Sequence, residues 1–166
     1  MNDEVLSANF RGHTADDVRH ASKLIREFGF ELGLQMMTDL YLSSPDIDMK
    51  TARELIKLNP KTVRIYPTVT LKNTYLARLL EEGKYSPAPL EDTVNLCARL
   101  VTLFEKNNIK IIRLGLHASR DIKDNMLGGG YHESLGEMVH SRTDNSRYSL
   151  SEIKLCFIRE RFKALH

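Results

Sequence analysis

The chain has 166 residues, enough for one domain that buries about two-thirds of its unfolded surface around a single core. Its 24 basic and 22 acidic residues are dispersed and give a formal charge of +2, so the overall field is too weak to predict nucleic-acid binding. No apolar run approaches the ~18 residues of a membrane span, and the amino terminus lacks a signal-peptide pattern. We therefore expect a cytoplasmic protein with no membrane partner.

The first predicted elements are a helix and a strand. Residues 14–30 predict a helix with Thr14 as N-cap and Gly29 as C-cap. Its apolar residues recur on one face with the helical period: Val18, Ala21, Leu24, Ile25 and Phe28. The mostly apolar residues 31–42 that follow have strand length and predict a strand covered on both faces.

The alternation of helix and strand continues along the chain. A helix over 48–60 ends at Asn59-Pro60, and the β-branched run "KTVRIYPTVTL" predicts a second strand interrupted by Pro67. Two helices, 73–83 and 90–108, then precede the strand "IKIIRLGLH". This order predicts parallel βα units with a sheet covered by helices, an α/β fold with about three parallel strands. Three strands are too few for a closed barrel of eight, so the sheet is open or part of a larger one.

The end of the chain carries a glycine-rich segment, "DIKDNMLGGGYHESLGEMVHSR", which predicts a loop and a short helix, and a final amphipathic helix over 149–165. Glycines before a helix can cradle a phosphate, but neither GxxxxGK[ST] nor GxGxxG is matched, and a loop that needs positive φ angles is the favoured interpretation. We interpret His132 and His140 as surface or capping residues.

Two cysteines, Cys97 and Cys156, lie far apart in apolar helical registers. We interpret both as small buried hydrophobic residues, with a disulfide or a reactive thiol as the alternative. Neither has another ligand residue at metal-binding spacing, so no zinc or iron–sulfur site is predicted within this chain.

Ligands of parallel α/β sheets bind beyond the carboxyl ends of the strands, which here are 35–39, 66–70 and 115–117. Gln35 is unusual as a large amide in an apolar strand, although it could instead bond a neighbouring backbone group. Asp39, Asp46 and Asp48 could form a carboxylate cluster. The last two flank a predicted helix start, however, where capping and the helix dipole explain them.

Three motifs, "VRIYPT", "GKYSP" and "IIRLGL", occur in that order after "LIREFGFELGLQMM". With them, the region from about Asn2 to about Arg142 resembles the second half of a radical S-adenosylmethionine (SAM) enzyme. Within that superfamily it most resembles the bacterial proteins related to oxygen-independent coproporphyrinogen III oxidase and to the catalytic subunit of elongator. The block from Val63 to Leu116 is the most specific part of the resemblance.

The resemblance implies a partial barrel of six βα units in the complete family. Its early strands carry a CxxxCxxC loop for a [4Fe–4S] cluster and a Gly-Gly-Glu stretch for the methionine end of SAM, and neither motif occurs here. The chain is therefore expected to start after the fourth strand. Residues 1–118 would hold the last βα units and a family-specific extension, and residues 119–166 the glycine-rich loop and helical tail. Because the radical chemistry belongs to cluster and cofactor, the chain alone is expected to be inactive.

Three residues are carried over from the family by position as cofactor-binding candidates. Arg11 matches a cation that approaches the polar end of the cofactor, Gln35 a polar residue that reaches its ribose, and Val69 the backbone that meets its adenine. One departure affects this pocket: where the family reads Gly-Leu-Pro-Gly-Asp after the fifth strand, this chain has "TDLYLSSPDID". The loop at the top of that strand is therefore expected to differ.

The preferred hypothesis is the carboxy-terminal portion of a radical SAM iron–sulfur enzyme that contributes part of the SAM pocket. SAM and the [4Fe–4S] cluster are implied for the complete protein, and tight binding of neither is expected here. The expected partner is the missing half of the barrel or a second copy of this chain, with RNA implied by resemblance only. The alternatives are a degenerate protein- or RNA-binding module and an unrelated α/β enzyme that binds a phosphorylated ligand.

Overall fold

The computed structural model describes residues 1–144, which form two small sheets and a set of helices. The helices are α1 Asp3–Ala8, α2 Ala15–Glu27, α3 Pro45–Lys57, α4 Tyr75–Glu81, α5 Leu90–Lys106 and α6 Arg120–Asn125. The strands are β1 Gly33–Thr38, β2 Thr62–Pro67, β3 Val69–Leu71, β4 Lys110–Leu114 and β5 Met126–Gly129. A further helical stretch covers 135–144. The predicted final helix and Cys156 lie outside the described residues.

The main sheet has the order β1-β2-β4, and both strand pairs are parallel. This confirms the predicted α/β class with three parallel strands. β1 is an edge strand, since it pairs with β2 on one side and with no other strand of the described chain on the opposite side. Within residues 1–144 no helix has the length and apolar character needed to cross a membrane.

The core lies on one face of this sheet, between the strands and helices α3 and α5. Side chains alternate in direction along a strand, and on β2 the two that enter the core, Val63 and Ile65, are fully buried. The other members of this cluster include Met36, Met49, Leu55, Val94, Cys97, Leu100, Val101 and Phe104. Leu100, Val101 and Phe104 lie on α5, whose long amphipathic pattern predicted this packing.

Within residues 1–144 no element covers the opposite face of the sheet, which corrects the prediction that β1 is covered on both faces. Gln35 on β1, Arg64 on β2 and Ile112 on β4 are all exposed there. The apolar run misled because Leu34 and Met36 alternate with Gly33 and Gln35, and a glycine and an amide do not need burial. We call this surface the open face.

Helix α2 has the predicted start. The Thr14 hydroxyl accepts a hydrogen bond from the backbone N–H of Asp17, and the Asp17 carboxylate accepts one from the backbone N–H of Thr14, which completes a capping box. Its predicted apolar face, however, is largely exposed: Leu24 is 39% exposed, Ile25 36% and Phe28 75%. The periodicity therefore predicted the helix correctly, but nothing in residues 1–144 covers that face.

The glycine-rich segment contains a strand that the sequence did not predict. β5 pairs antiparallel with β3, and Val69 lies opposite Gly129. Gly129 has φ +115°, and a Cβ there would lie 2.8 Å from the carbonyl oxygen of Thr68. A Cβ on Gly130 would overlap the hydroxyl of Thr93. Close packing and one positive φ angle thus account for these glycines.

Candidate functional site

A cavity of about 320 Å³ lies along the free edge of β1, between that strand and helices α1, α2 and α3. Residues from both faces of β1 line it, as expected where a strand edge is unpaired. Its polar lining includes Arg11, His13, Gln35, Ser43 and Asp48. The cavity volume falls at the lower end of the roughly 300–1,000 Å³ typical of small-molecule sites.

Arg11 is positioned by a tight turn between α1 and α2. The turn uses left-handed backbone conformations at Phe10, with φ +52°, and at Gly12, with φ +69°. The backbone N–H of Arg11 donates to the carbonyl oxygen of Leu6 at 3.0 Å. Nδ1 of His13 lies 2.8 Å from the carbonyl oxygen of Arg11, so the tautomer protonated at Nδ1 donates there. Both side chains are exposed and border the cavity.

Gln35 borders the same cavity from the middle of β1. Its neighbour Met36 is buried in the core, so the alternation along the strand directs Gln35 to the open face. The amide makes no hydrogen bond within residues 1–144. Among the described residues the amide therefore does not satisfy a neighbouring backbone group, and it is available to a ligand.

Val69 does not line this cavity. β2 ends at Pro67, and Val69 begins the separate strand β3, which pairs with β5. The junction is fixed by a hydrogen bond from the backbone N–H of Thr68 to the carbonyl oxygen of Thr38 at 3.0 Å. The structure thus brings Arg11 and Gln35 to one cavity, whereas Val69 lies in the second sheet.

A polar network at the carboxyl end of β1 was missed by sequence reasoning. The carboxylate of Asp39 accepts hydrogen bonds from the backbone N–H of Ala88 at 2.7 Å and from the hydroxyl of Tyr85 at 3.2 Å. That hydroxyl also lies 2.9 Å from the carbonyl oxygen of Asp39. The carboxylate of Asp48 accepts from the backbone N–H of Asp39 at 3.0 Å and from the hydroxyl of Ser43 at 2.6 Å.

Burial dominates the electrostatics of this network. It raises the pKa of both Asp39 and Asp48, and the hydrogen bonds that each carboxylate accepts oppose the rise. Burial beside Asp39 also raises the pKa of Tyr85, so its hydroxyl remains a donor. Asp46 and Asp48 do lie in the first turn of α3, as predicted. Asp48 also accepts a hydrogen bond from the backbone N–H of Asp39. The sequence did not predict this second contact, because helix capping alone explained the position of Asp48.

The loop after β1 is built without the glycines of the family pattern. Asp39 and Leu42 adopt left-handed conformations, with φ +59° and +62°. Asn9 then holds the loop from α1: its side-chain amide donates to the carbonyl oxygen of Tyr41 at 2.9 Å and accepts from the N–H of Tyr41 at 3.2 Å. Side-chain hydrogen bonds therefore fix the turn where the family pattern has glycines.

The residues of this chain do not fit an iron–sulfur cluster. The sequence has two cysteines, whereas such a cluster needs several thiolates close together. Cys97 is fully buried in the core, and burial raises the pKa of its thiol to about 12. Within residues 1–144 no three His, Cys, Asp or Glu side chains are grouped to hold a metal ion. His132 is exposed, and its Nδ1 accepts a hydrogen bond from the backbone N–H of Ser134, as a capping residue would.

Residues 60–145 match the family described as the Radical_SAM C-terminal domain. This chain belongs to that family. The match covers β2, the long helix α5, β4 and the glycine-rich segment, so it includes the block that carried the resemblance in the sequence. The cavity at β1 lies just before it in the chain.

Known relatives extend the likeness over most of the chain. A tRNA uridine(34) acetyltransferase of Dehalococcoides mccartyi is 29% identical over 84% of this chain and 30% of that protein. Elongator complex protein 3 of Homo sapiens is 29% identical over 61% of this chain and 19% of that protein. The structure of archaeal Methanocaldococcus infernus Elp3 with an N-terminal deletion matches with a TM-score of 0.74 at 23% identity, over 87% of this chain and 34% of that one.

These comparisons confirm the elongator-related radical SAM group predicted from the sequence, and the structural likeness confirms the fold class. The chain spans about a third or less of the length of these relatives. The link to coproporphyrinogen oxidase and the boundary at 118/119 stay predictions.

Proposed function

We propose that this chain supplies the last βα units of the radical SAM core of an elongator-like tRNA-modifying protein in the cytoplasm. In this proposal it forms one side of the SAM site and does not generate the radical itself. The observation that carries the proposal is the convergence of Arg11 and the unbonded amide of Gln35 on one cavity at the free edge of β1. The cluster and the methionine-binding residues would come from outside this chain, because its own cysteines do not fit the cluster.

The two polar groups suit the hydroxyl and carboxylate parts of SAM. An amide both donates and accepts, which matches a ribose hydroxyl pair, and a guanidinium pairs with a carboxylate. SAM bound to the complete site, together with the reduced cluster as electron donor, would supply the radical chemistry. This chain's residues would bind and orient its polar groups and limit water at the edge of β1. Val69 stays a weaker candidate, since it does not line the cavity.

We further propose that the partner of this chain is the amino-terminal part of such a barrel or a second copy of the chain. The unpaired edge of β1 and the exposed apolar face of α2 support this, because natural proteins pair or cover such surfaces. The tRNA substrate is proposed from the relatives, whose names specify uridine 34 of tRNA. The reaction itself belongs to the complete polypeptide.

The test is binding of S-adenosylhomocysteine, followed by ligand-observed NMR or calorimetry. We expect weak binding by the full chain, a further loss of at least several-fold in Arg11→Gln and Gln35→Ala, and no change in Arg99→Gln. Arg99 is an exposed control on α5, away from the cavity. Binding that is indifferent to both Arg11 and Gln35 would refute the proposed wall.

A further inference from the structure

A groove of about 540 Å³ lies on the outer side of the helix layer, between α3, α5 and the helical stretch 135–144. It shares no lining residue with the cavity at β1. Helix α3 turns different side chains toward the two sites: Thr51 borders the cavity, whereas Met49 and Arg53 border the groove. The groove is therefore separate from the proposed SAM site and from the open face of the sheet.

The groove is lined by cations. Among the described residues four basic side chains border it and no carboxylate does. Arg142 is already neutralised, since its guanidinium lies 2.7 Å from the carboxylate of Glu91. Arg53, Arg99 and Lys106 are exposed and make no hydrogen bond or ion pair within residues 1–144. The groove thus presents three positive charges that this part of the chain leaves unpaired.

The helix dipole explains only one of these three cations. Lys106 lies in the last turn of α5, where a positive charge is favoured. Arg53 and Arg99 lie outside the last turns of α3 and α5, so the dipole does not account for them. They come from two different helices and border one groove. A carboxylate placed between them would accept charge-assisted hydrogen bonds from both walls.

The floor of the groove is apolar. Met49 and Ala98 are buried, and Leu103 packs against the core. Arg99 and Lys106 are two helical turns apart on α5, which is about 10 Å along the groove. An elongated apolar floor with cations along its walls is complementary to an amphipathic helix whose carboxylates flank its apolar side. No aromatic side chain of the described residues lines the groove, so it lacks the rings on which bases of a nucleic acid stack.

We propose that this groove binds an acidic amphipathic helix of a partner protein. The chain's own final segment has the wrong charge for this role, since residues 149–165 contain four basic and two acidic side chains. Charge complementarity therefore selects a different polypeptide, with apolar side chains for the floor and carboxylates for Arg53 and Arg99. This inference does not rest on the proposed SAM function.

The test uses labelled synthetic peptides of about 15 residues, roughly four helical turns. The first carries leucines along one helical face with glutamates beside them, and the second has lysines in place of the glutamates. Fluorescence anisotropy follows each peptide as the full chain is added at about 0.15 M salt. We expect the acidic peptide to bind and the basic peptide not to bind.

Two double variants that remove the same charge locate the binding. Arg53→Gln with Arg99→Gln should weaken binding of the acidic peptide by at least about fivefold, because it removes two charge-assisted contacts. Arg78→Gln with Arg120→Gln is the control: both are exposed, on α4 and α6, and neither lines the groove. The control should bind as the wild type does. Arg53→Glu with Arg99→Glu should reverse the preference, so that the basic peptide binds instead.

Four outcomes would overturn the inference. They are no binding of the acidic peptide, equal binding of a scrambled peptide of the same composition, equal weakening in both glutamine double variants, and binding at Arg53 and Arg99 of a single-stranded RNA or of a synthetic 149–165 peptide in place of the acidic helix. The single variant Arg99→Gln, at an exposed position, covers the case in which a double variant misfolds. S-adenosylhomocysteine binding should be unchanged in all groove variants, so failure here is distinct from failure of the proposed SAM wall.

Discussion

Two tyrosine hydroxyls in this protein predict opposite effects of the same substitution. The hydroxyl of Tyr85 donates into Asp39, 2.9 Å from its carbonyl oxygen and 3.2 Å from its carboxylate. The hydroxyl of Tyr131 is buried and has no hydrogen-bond partner in the described residues. Replacing tyrosine by phenylalanine removes one oxygen at each position and keeps the ring.

The expected magnitudes follow from these contacts. Tyr85→Phe removes the hydroxyl that the carbonyl oxygen and the carboxylate of Asp39 share as a donor. This loss should lower the free energy of unfolding by about 1–2 kcal/mol. For a chain of this size that lowers the melting temperature by about 2–4 °C per kcal/mol. Tyr131→Phe removes an unsatisfied polar group and should be neutral or stabilising by up to about 1 kcal/mol. The edge-on contact of Tyr85 with Tyr41, at 6.4 Å between ring centroids, is retained.

Chemical denaturation followed by circular dichroism measures both variants against the wild type. The cost of Tyr85→Phe should become smaller as the pH falls through the raised pKa of Asp39, because the protonated carboxyl group no longer offers a charged acceptor. A Tyr85→Phe variant that is no less stable than Tyr131→Phe at neutral pH would refute this account of the network.

Three further predictions concern acid behaviour, metal and assembly. Burial raises the pKa of Asp48 in the folded protein above its unfolded value of 3.8, so the folded state binds this proton more tightly than the unfolded chain. The stabilisation from this proton is therefore complete below pH 3.8 and is lost as the pH rises through the folded-state pKa. Asp48→Asn should flatten this part of the curve of unfolding free energy against pH, and an unchanged curve would contradict the prediction. Reconstitution with iron and sulfide should give no stable cluster absorbance on this chain, and stoichiometric [4Fe–4S] would overturn the proposal. Light scattering of the isolated chain should detect a dimer or larger assembly through β1 and α2, and a strict monomer at high concentration would count against it.

The local sequence patterns predicted the helices and strands themselves, but not which segments cover them. The period of Val18, Leu24 and Phe28 predicted α2 and its apolar side, because periodicity depends only on the helix itself. What covers that side depends on other segments, and in residues 1–144 nothing does. Likewise the apolar content of β1 predicted a strand, but not the open face.

In the candidate site, too, single residues could be predicted from the sequence, whereas contacts between distant segments could not. The resemblance indicated Arg11 and Gln35, and these two residues share a cavity. The network of Asp39 could not be predicted, since Tyr85 lies 46 residues away and Ala88 lies 49 away in the chain. The strands β3 and β5 are even further apart in the chain, with Val69 paired to Gly129, so the sequence around the glycines of β5 predicted only a loop.

The residues that stabilise the fold and the residues proposed to bind SAM lie on opposite faces of the main sheet. The core and the Asp39 network lie against α3, α5 and the 85–88 segment, whereas Gln35 and Arg64 lie on the open face with little buried area. Gln35→Ala and Arg64→Gln should therefore change the free energy of unfolding by no more than about 0.5 kcal/mol, as surface substitutions usually do. Val101→Ala, in the core of α5, should lower it by about 1–3 kcal/mol while leaving ligand binding intact in the folded fraction. If Gln35→Ala proved as destabilising as Val101→Ala, the open face would be a buried surface in solution, and the assignment of ligands to it would fail.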